Sequence, residues 1–143
     1  ADAHAYFDPN VNVLYLRRDD LQRDTKLAAI EIAHEGTHLL DHVGKVNDAF
    51  TKPREATFAG LGAAQAKAAR DQLSFESMMV AESRAFVYAG QVARDIGWTG
   101  VAADPTSIAS AGGNDAATYA KVWQQLLTGP YNNEHRTAAT VMV

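Results

Sequence analysis

Cysteine is absent from the 143 residues, so no disulfide staples the chain and no thiolate can hold a metal. Any metal must be bound by His, Asp or Glu. No apolar run approaches the length of a bilayer span, and no membrane span is expected. Basic blocks are missing too. Lys and Arg number 13 against 17 Asp and Glu, for a net charge of -4. Such a balance does not suit nucleic acid or an anionic membrane as the main partner. There is no initiator Met, and ADAHAYFDPN lacks the charged-then-apolar layout of a signal peptide. The chain therefore reads as a fragment of a longer protein or a processed product. What is present is a globular composition, 47% hydrophobic and 21% charged. It is enough to build the core of a single domain over residues 1–143.

Local patterns give a small α+β domain. In AYFDPNVNVLYLRR, two runs rich in β-branched and aromatic residues flank the Asp8-Pro9-Asn10 turn, the signature of a β-hairpin. Asp24 or Thr25 can cap a helix running through Leu27, Ile30 and the segment HEGTH, with Gly44 as a left-handed stop. Between residues 45 and 62, Pro53, Gly60 and Gly62 break any long element. The Ala-rich stretch from Ala63 to Ala69 favours helix by propensity, and a second strong helix runs from about Leu73 to Asp95. TGVAADPTSIASAGGND reads as a loop. Asn114 or Asp115 caps a last amphipathic helix carrying Tyr119, Val122, Trp123 and Leu126, which ends at Gly129-Pro130.

The segment AAIEIAHEGTHLLDHVG carries His34, His38 and His42 at intervals of four. Residues four apart share a helix face, about 6 Å from one another. His34 and His38 can thus aim both imidazoles at one Zn²⁺. Glu35 stands about 100° around the same turn, where its carboxylate can act as a base beside the metal without binding it. An apolar stripe of Ala29, Ile32, Ala33, Gly36, Leu40 and Val43 is expected to pack this helix on the core. Gly36 in mid-helix costs about 1 kcal/mol relative to Ala, which suits a place where backbone or substrate comes close. His42 lies about 12 Å along the axis from His34, too far to share the ion, and is read as a neighbour of the site or a surface residue. Asp41 is a candidate acceptor for the free N–H of His38 or His42.

A catalytic zinc usually has three protein ligands and an open position. In SFESMMVAESRAFVYAGQVA one helical face holds Phe75, Met78, Met79, Glu82, Ala85, Phe86, Ala89 and Val92. The single carboxylate on this apolar face is costly unless paired, and a metal ion is a sufficient partner. Glu82 is the expected third ligand. Glu55 and Glu76 are its rivals, and a buried ion pair is the alternative role for Glu82 itself.

With His34, Glu35, His38 and the later Glu82, the chain resembles the HExxH zincins and, within them, the gluzincins. That resemblance covers about residues 1–95, and only the motif and its helix are specific. It implies a zinc peptidase in which a strand edge beside the site holds a protein or peptide substrate. Two features depart from the larger families. Phe86 stands where the larger gluzincins place an Asp four residues after the ligand Glu. Asp41 and Gly44 stand where the metzincin extension needs Gly and His. A compact zincin-like domain fits better. The spacing from His38 to Glu82 also resembles the metallopeptidase domain at the C-terminus of some bacterial type VI secretion spike proteins. This implies a toxin fused to a delivery domain and delivered to a target cell, with the periplasm as its compartment.

The expected activity is zinc-dependent peptide hydrolysis, with Glu35 as the base and Tyr131 or His135 as the oxyanion stabiliser. Tyr88 is a poorer candidate, since it points about 120° from Glu82. Two other readings stand beside it: a cell-wall peptide amidase of the same chemistry, and a catalytically silent zincin-fold binding module.

Overall fold

The structure is a computed structural model and describes residues 4–100 and 104–129. The Asp8 carboxylate accepts the backbone N–H of Asn10 at 2.9 Å, and Asn12 adopts φ 52°. Those local choices turn the chain between β1 (Ala5–Asp8) and β2 (Val13–Leu16). The strands are antiparallel, with Phe7 opposite Leu14 and Tyr6 opposite Tyr15. Tyr6 and Tyr15 stack on the outer face at 4.7 Å. The sheet has these two strands only among the described residues. Every later element is helical, which makes the described chain a small α+β domain.

A short α1 (Arg18–Arg23) leads into α2 (Thr25–Val43), the HEGTH helix. Asp24 caps α2 by accepting the N–H of Leu27 at 2.9 Å, as an N-cap carboxylate should. At the other end Gly44 has φ −77°, and Lys45, at φ 55°, takes the left-handed conformation instead. α3 (Val46–Glu55) comes next, with Pro53 inside it, and a single 3₁₀ turn covers Ala56–Phe58.

The Ala-rich stretch and the second strong helix are one element, α4 (Ala63–Asp95). It packs against α2, α3, α5 (Pro105–Ala111) and α6 (Ala116–Thr128). Ala81, Ser83 and Val87 are therefore buried as well as Phe75, Met79, Ala85, Phe86 and Ala89. A helix enclosed on several sides cannot keep a polar face, which explains why Ser83 is inside.

The segment expected to be a loop contains helix α5. Asp104 accepts the N–H of Thr106 at 2.8 Å, and Pro105 occupies the first turn, where its missing N–H costs nothing. Gly90 allows the fit. A Cβ there would collide with the Ala109 side chain and come within 2.7 Å of its backbone carbon. α6 is capped by Asp115, which accepts the N–H of Thr118. Its Val122 and Leu126 are fully buried in a core with Phe75, Met79, Phe86, Val87 and Ala109. Burying each such aliphatic side chain is worth about 1.5–3 kcal/mol. A smaller cluster of Ile30, Ala89 and Ala93 joins α2 to α4.

The face of α2 that packs is not the expected one. Ala28, Ile30, Thr37 and Asp41 are buried, whereas Ile32, Leu40 and Val43 are exposed, Leu40 by 72%. The physical reason is that α4 supplies Glu82 and Arg84 as partners for the polar groups on the histidine side of α2. That side is therefore covered although it is partly polar, and of the expected stripe Ala33 joins the Ile30 cluster. Among the described residues no helix is long and apolar enough to cross a membrane.

Candidate metal centre

α2 and α4 meet through side chains far apart in sequence. The Nε2 atoms of His34 and His38 lie 3.2 Å from each other. The Glu82 carboxylate, from the middle of α4, reaches both: Oε2 is 3.2 Å from His34 Nε2, and Oε1 is 3.2 Å from His38 Nε2. All three side chains are mostly enclosed, with 16–19% of their surface exposed. Donor atoms around a tetrahedral zinc stand roughly 3.3 Å apart, given bonds of about 2.0–2.2 Å. Each separation is near that figure, but Glu82 meets the two imidazoles with different oxygens, so its carboxylate straddles the pair rather than presenting one oxygen to both. Two imidazoles and a carboxylate are a donor set that suits Zn²⁺.

Glu35 stands close by, its Oε1 4.0 Å from His34 Nε2. His34, Glu35 and His38 each offer an atom within 4.8 Å of the others. The other oxygen of Glu35 accepts the backbone N–H of Phe7, in β1, at 3.0 Å. The hairpin thus fixes the carboxylate's direction. No local pattern around Phe7 or Glu35 signals this contact, which joins residues 28 apart. Burial pushes the Glu35 carboxyl above its ordinary range. The His34 and His38 charges pull it back, Glu82 pushes it up again, and the Phe7 N–H favours the ionised form. The net direction is upward.

Burial alone would lower the His38 imidazole's pKa, but the hydrogen bond and charge of Glu82 outweigh it, and the net direction is upward. The His34 ring is backed by Phe86, ring centres 4.5 Å apart and tilted 67°.

Asp41 does not serve a histidine. It accepts from Arg84 Nε and Nη2, both at 2.9 Å. The paired guanidinium and the deep burial of Asp41 explain why the carboxylate turns to α4 and not along its own helix. Glu55 is exposed, and Glu76 accepts from Gln72 one turn back on the same helix. Neither reaches the histidines. Tyr88 is 41% exposed. Tyr131 and His135 lie outside the described residues. Gly36 has nothing within 4 Å of where its Cβ would be, so no neighbouring backbone accounts for a glycine there.

An open cleft of about 720 Å³ reaches the site, lined by Tyr6, Phe7, Asn10, Glu35, His38, His42, Asn47, Ser77 and Glu82 among others. It runs from the hairpin, past the histidines, to α3 and α4. Compared with known proteins, the chain matches no family model, no curated protein and no solved structure.

Proposed function

We propose that this chain is a zinc-dependent peptidase, with His34, His38 and Glu82 as ligands and Glu35 as the base. One observation carries the reading: a carboxylate from α4 lies 3.2 Å from each of two α2 imidazoles, while a second carboxylate stands beside them, tethered to a strand. An ion pair alone would account for Glu82 but not for Glu35, whose two oxygens address the histidine and the strand separately.

A bound zinc ion supplies Lewis acidity, which acidifies water and polarises a carbonyl. The chain's own residues do the rest. Glu35 takes a proton from the water as its oxygen bonds to the scissile carbonyl carbon. The same carboxyl then gives that proton to the leaving nitrogen as the C–N bond breaks. The Phe7 N–H holds the Glu35 oxygen that is not engaged with the water. The hairpin and α3 shape an open cleft, which suits an extended peptide rather than a small enclosed ligand.

Metal analysis and hydrolysis test this together. Purified protein is expected to carry one zinc per chain and to cleave an unfolded protein such as casein. Glu35→Gln is expected to keep zinc and fold while turnover falls by orders of magnitude. Near-normal turnover in Glu35→Gln would refute the mechanism, and purified peptidoglycan as the only cleaved substrate would move the assignment to a cell-wall amidase.

A further inference from the structure

The third histidine of α2 has no part in the chemistry above. His42 lies one turn beyond His38 on the same side of the helix, and it lines the same cleft as Glu35, His38 and Glu82. Its ring packs against Phe7, centres 5.7 Å apart and tilted 57°. Phe7 is also the residue whose N–H holds Glu35. His42 thus touches the same hairpin residue that holds the base, and its side chain remains exposed. Two carboxylates of the same helix are engaged elsewhere. Asp41 is bound by Arg84, and Glu35 by Phe7. The His42 imidazole makes no hydrogen bond or ion pair with any described residue. An imidazole can always donate from one ring nitrogen. His42 lines the cleft one helical turn, about 6 Å, from His38, and an extended peptide spans about 3.3 Å per residue.

We propose that His42 binds substrate. Its imidazole donates to a backbone carbonyl of the peptide, about two residues from the scissile bond, while Phe7 packs against the other side of the ring. This rests on the peptidase reading. It adds a contact that orders the peptide along the hairpin side of the cleft and takes no part in holding the metal.

Two ligands separate this role from an effect on the metal. Acetohydroxamate chelates zinc and has no peptide arm, whereas a peptidyl hydroxamate carries the same chelating group with an arm to lie in the cleft. Calorimetry on zinc-loaded protein compares wild type, His42→Ala and His42→Gln, the last of which retains a donor. The expected result is that His42→Ala weakens the peptidyl hydroxamate about tenfold, leaves acetohydroxamate and zinc content unchanged, and is largely rescued in His42→Gln. On a cleaved peptide the same variant raises KM more than it lowers kcat. Equal binding of the peptidyl ligand by wild type and His42→Ala overturns the proposal while leaving the peptidase reading intact. Parallel loss of both ligands, or of zinc, also overturns it, because His42 would then act on the metal. Failure of both ligands to bind the zinc-loaded wild type removes the peptidase reading and this inference with it.

Discussion

Arg84 grips Asp41 with two nitrogens, each 2.9 Å from a carboxylate oxygen. Asp41 comes three residues after His38 and Arg84 two after Glu82, so this pair locks α2 against α4 just beyond the candidate ligands. The Asp41 side chain is 5% exposed and that of Arg84 33%. The spacing of His38 and Glu82 in the candidate site depends on how these two helices sit together, since the two residues come from different helices.

Removing the guanidinium leaves a buried carboxylate without its cation, a change that costs about 3–5 kcal/mol when the pair is fully enclosed. Partial exposure of Arg84 reduces this, and Arg84→Met is expected to destabilise by about 2–3 kcal/mol. Chemical denaturation measures it. Zinc affinity in the same variant should fall although no ligand has changed. A variant as stable as wild type would show that the pair does not fix the two helices.

The ligand assignment makes a sharper demand. Glu82→Gln is expected to weaken zinc binding far more than Glu76→Gln or Glu55→Gln, because only Glu82 reaches the two imidazoles. His38→Ala should lose the metal. Removing zinc from wild type with a chelator should lower Tm, since an ion that binds only the folded state stabilises it. In Glu82→Gln that drop should shrink, because less metal is bound to begin with. Full zinc occupancy in either His38→Ala or Glu82→Gln would rule out the proposed ligand set.

The parts of this arrangement that were legible in the sequence are those with a local signature. The spacing of His34 and His38 places two imidazoles on one face, and a lone carboxylate in the stripe from Phe75 to Val92 marks Glu82. Hairpin, N-caps and the last helix were equally legible, since Asp8, Asp24 and Asp115 act on neighbours within three residues. What escaped is pairing at a distance and the burial of a partly polar face in place of an apolar one. Asp41 and Arg84 are 43 residues apart, and nothing near either names the other. The stripe of Ile32, Leu40 and Val43 is apolar, but periodicity says only that a face is apolar and not what covers it. Helix α5 was hidden by its Ser and Ala content and by the glycines that flank it, although Asp104-Pro105 is a serviceable start signal.

Packing between α4 and α5 gives a prediction independent of metal. Gly90→Ala puts a Cβ onto Ala109, whose backbone cannot retreat without moving α5. Overpacking of this kind costs about 1–3 kcal/mol or more. The variant should melt lower than wild type, with and without zinc. The paired variant Gly90→Ala with Ala109→Gly should recover part of the loss. No recovery would mean that the backbone of Ala109, rather than its side chain, sets the limit.

Glu31 supplies a dependence on pH. Its Oε2 is buried without a hydrogen-bond partner, and its Oε1 is 4.0 Å from His4 Nδ1. Burial pushes its carboxyl upward, His4 and Arg17 pull it down, and Asp20 and Glu35 push it up, for a net rise above 4.5. A carboxyl with a raised folded-state pKa binds its proton more tightly folded than unfolded. Its contribution to stability is therefore complete below the unfolded value of 4.5 and is lost as pH rises through the folded value. Glu31→Gln carries no such titration. It should melt above wild type at pH 7, and the two curves should converge as the pH falls to about 4.5. Melting temperatures of both proteins across that range decide it. A constant gap at every pH would trace the effect to packing and not to the charge on Glu31.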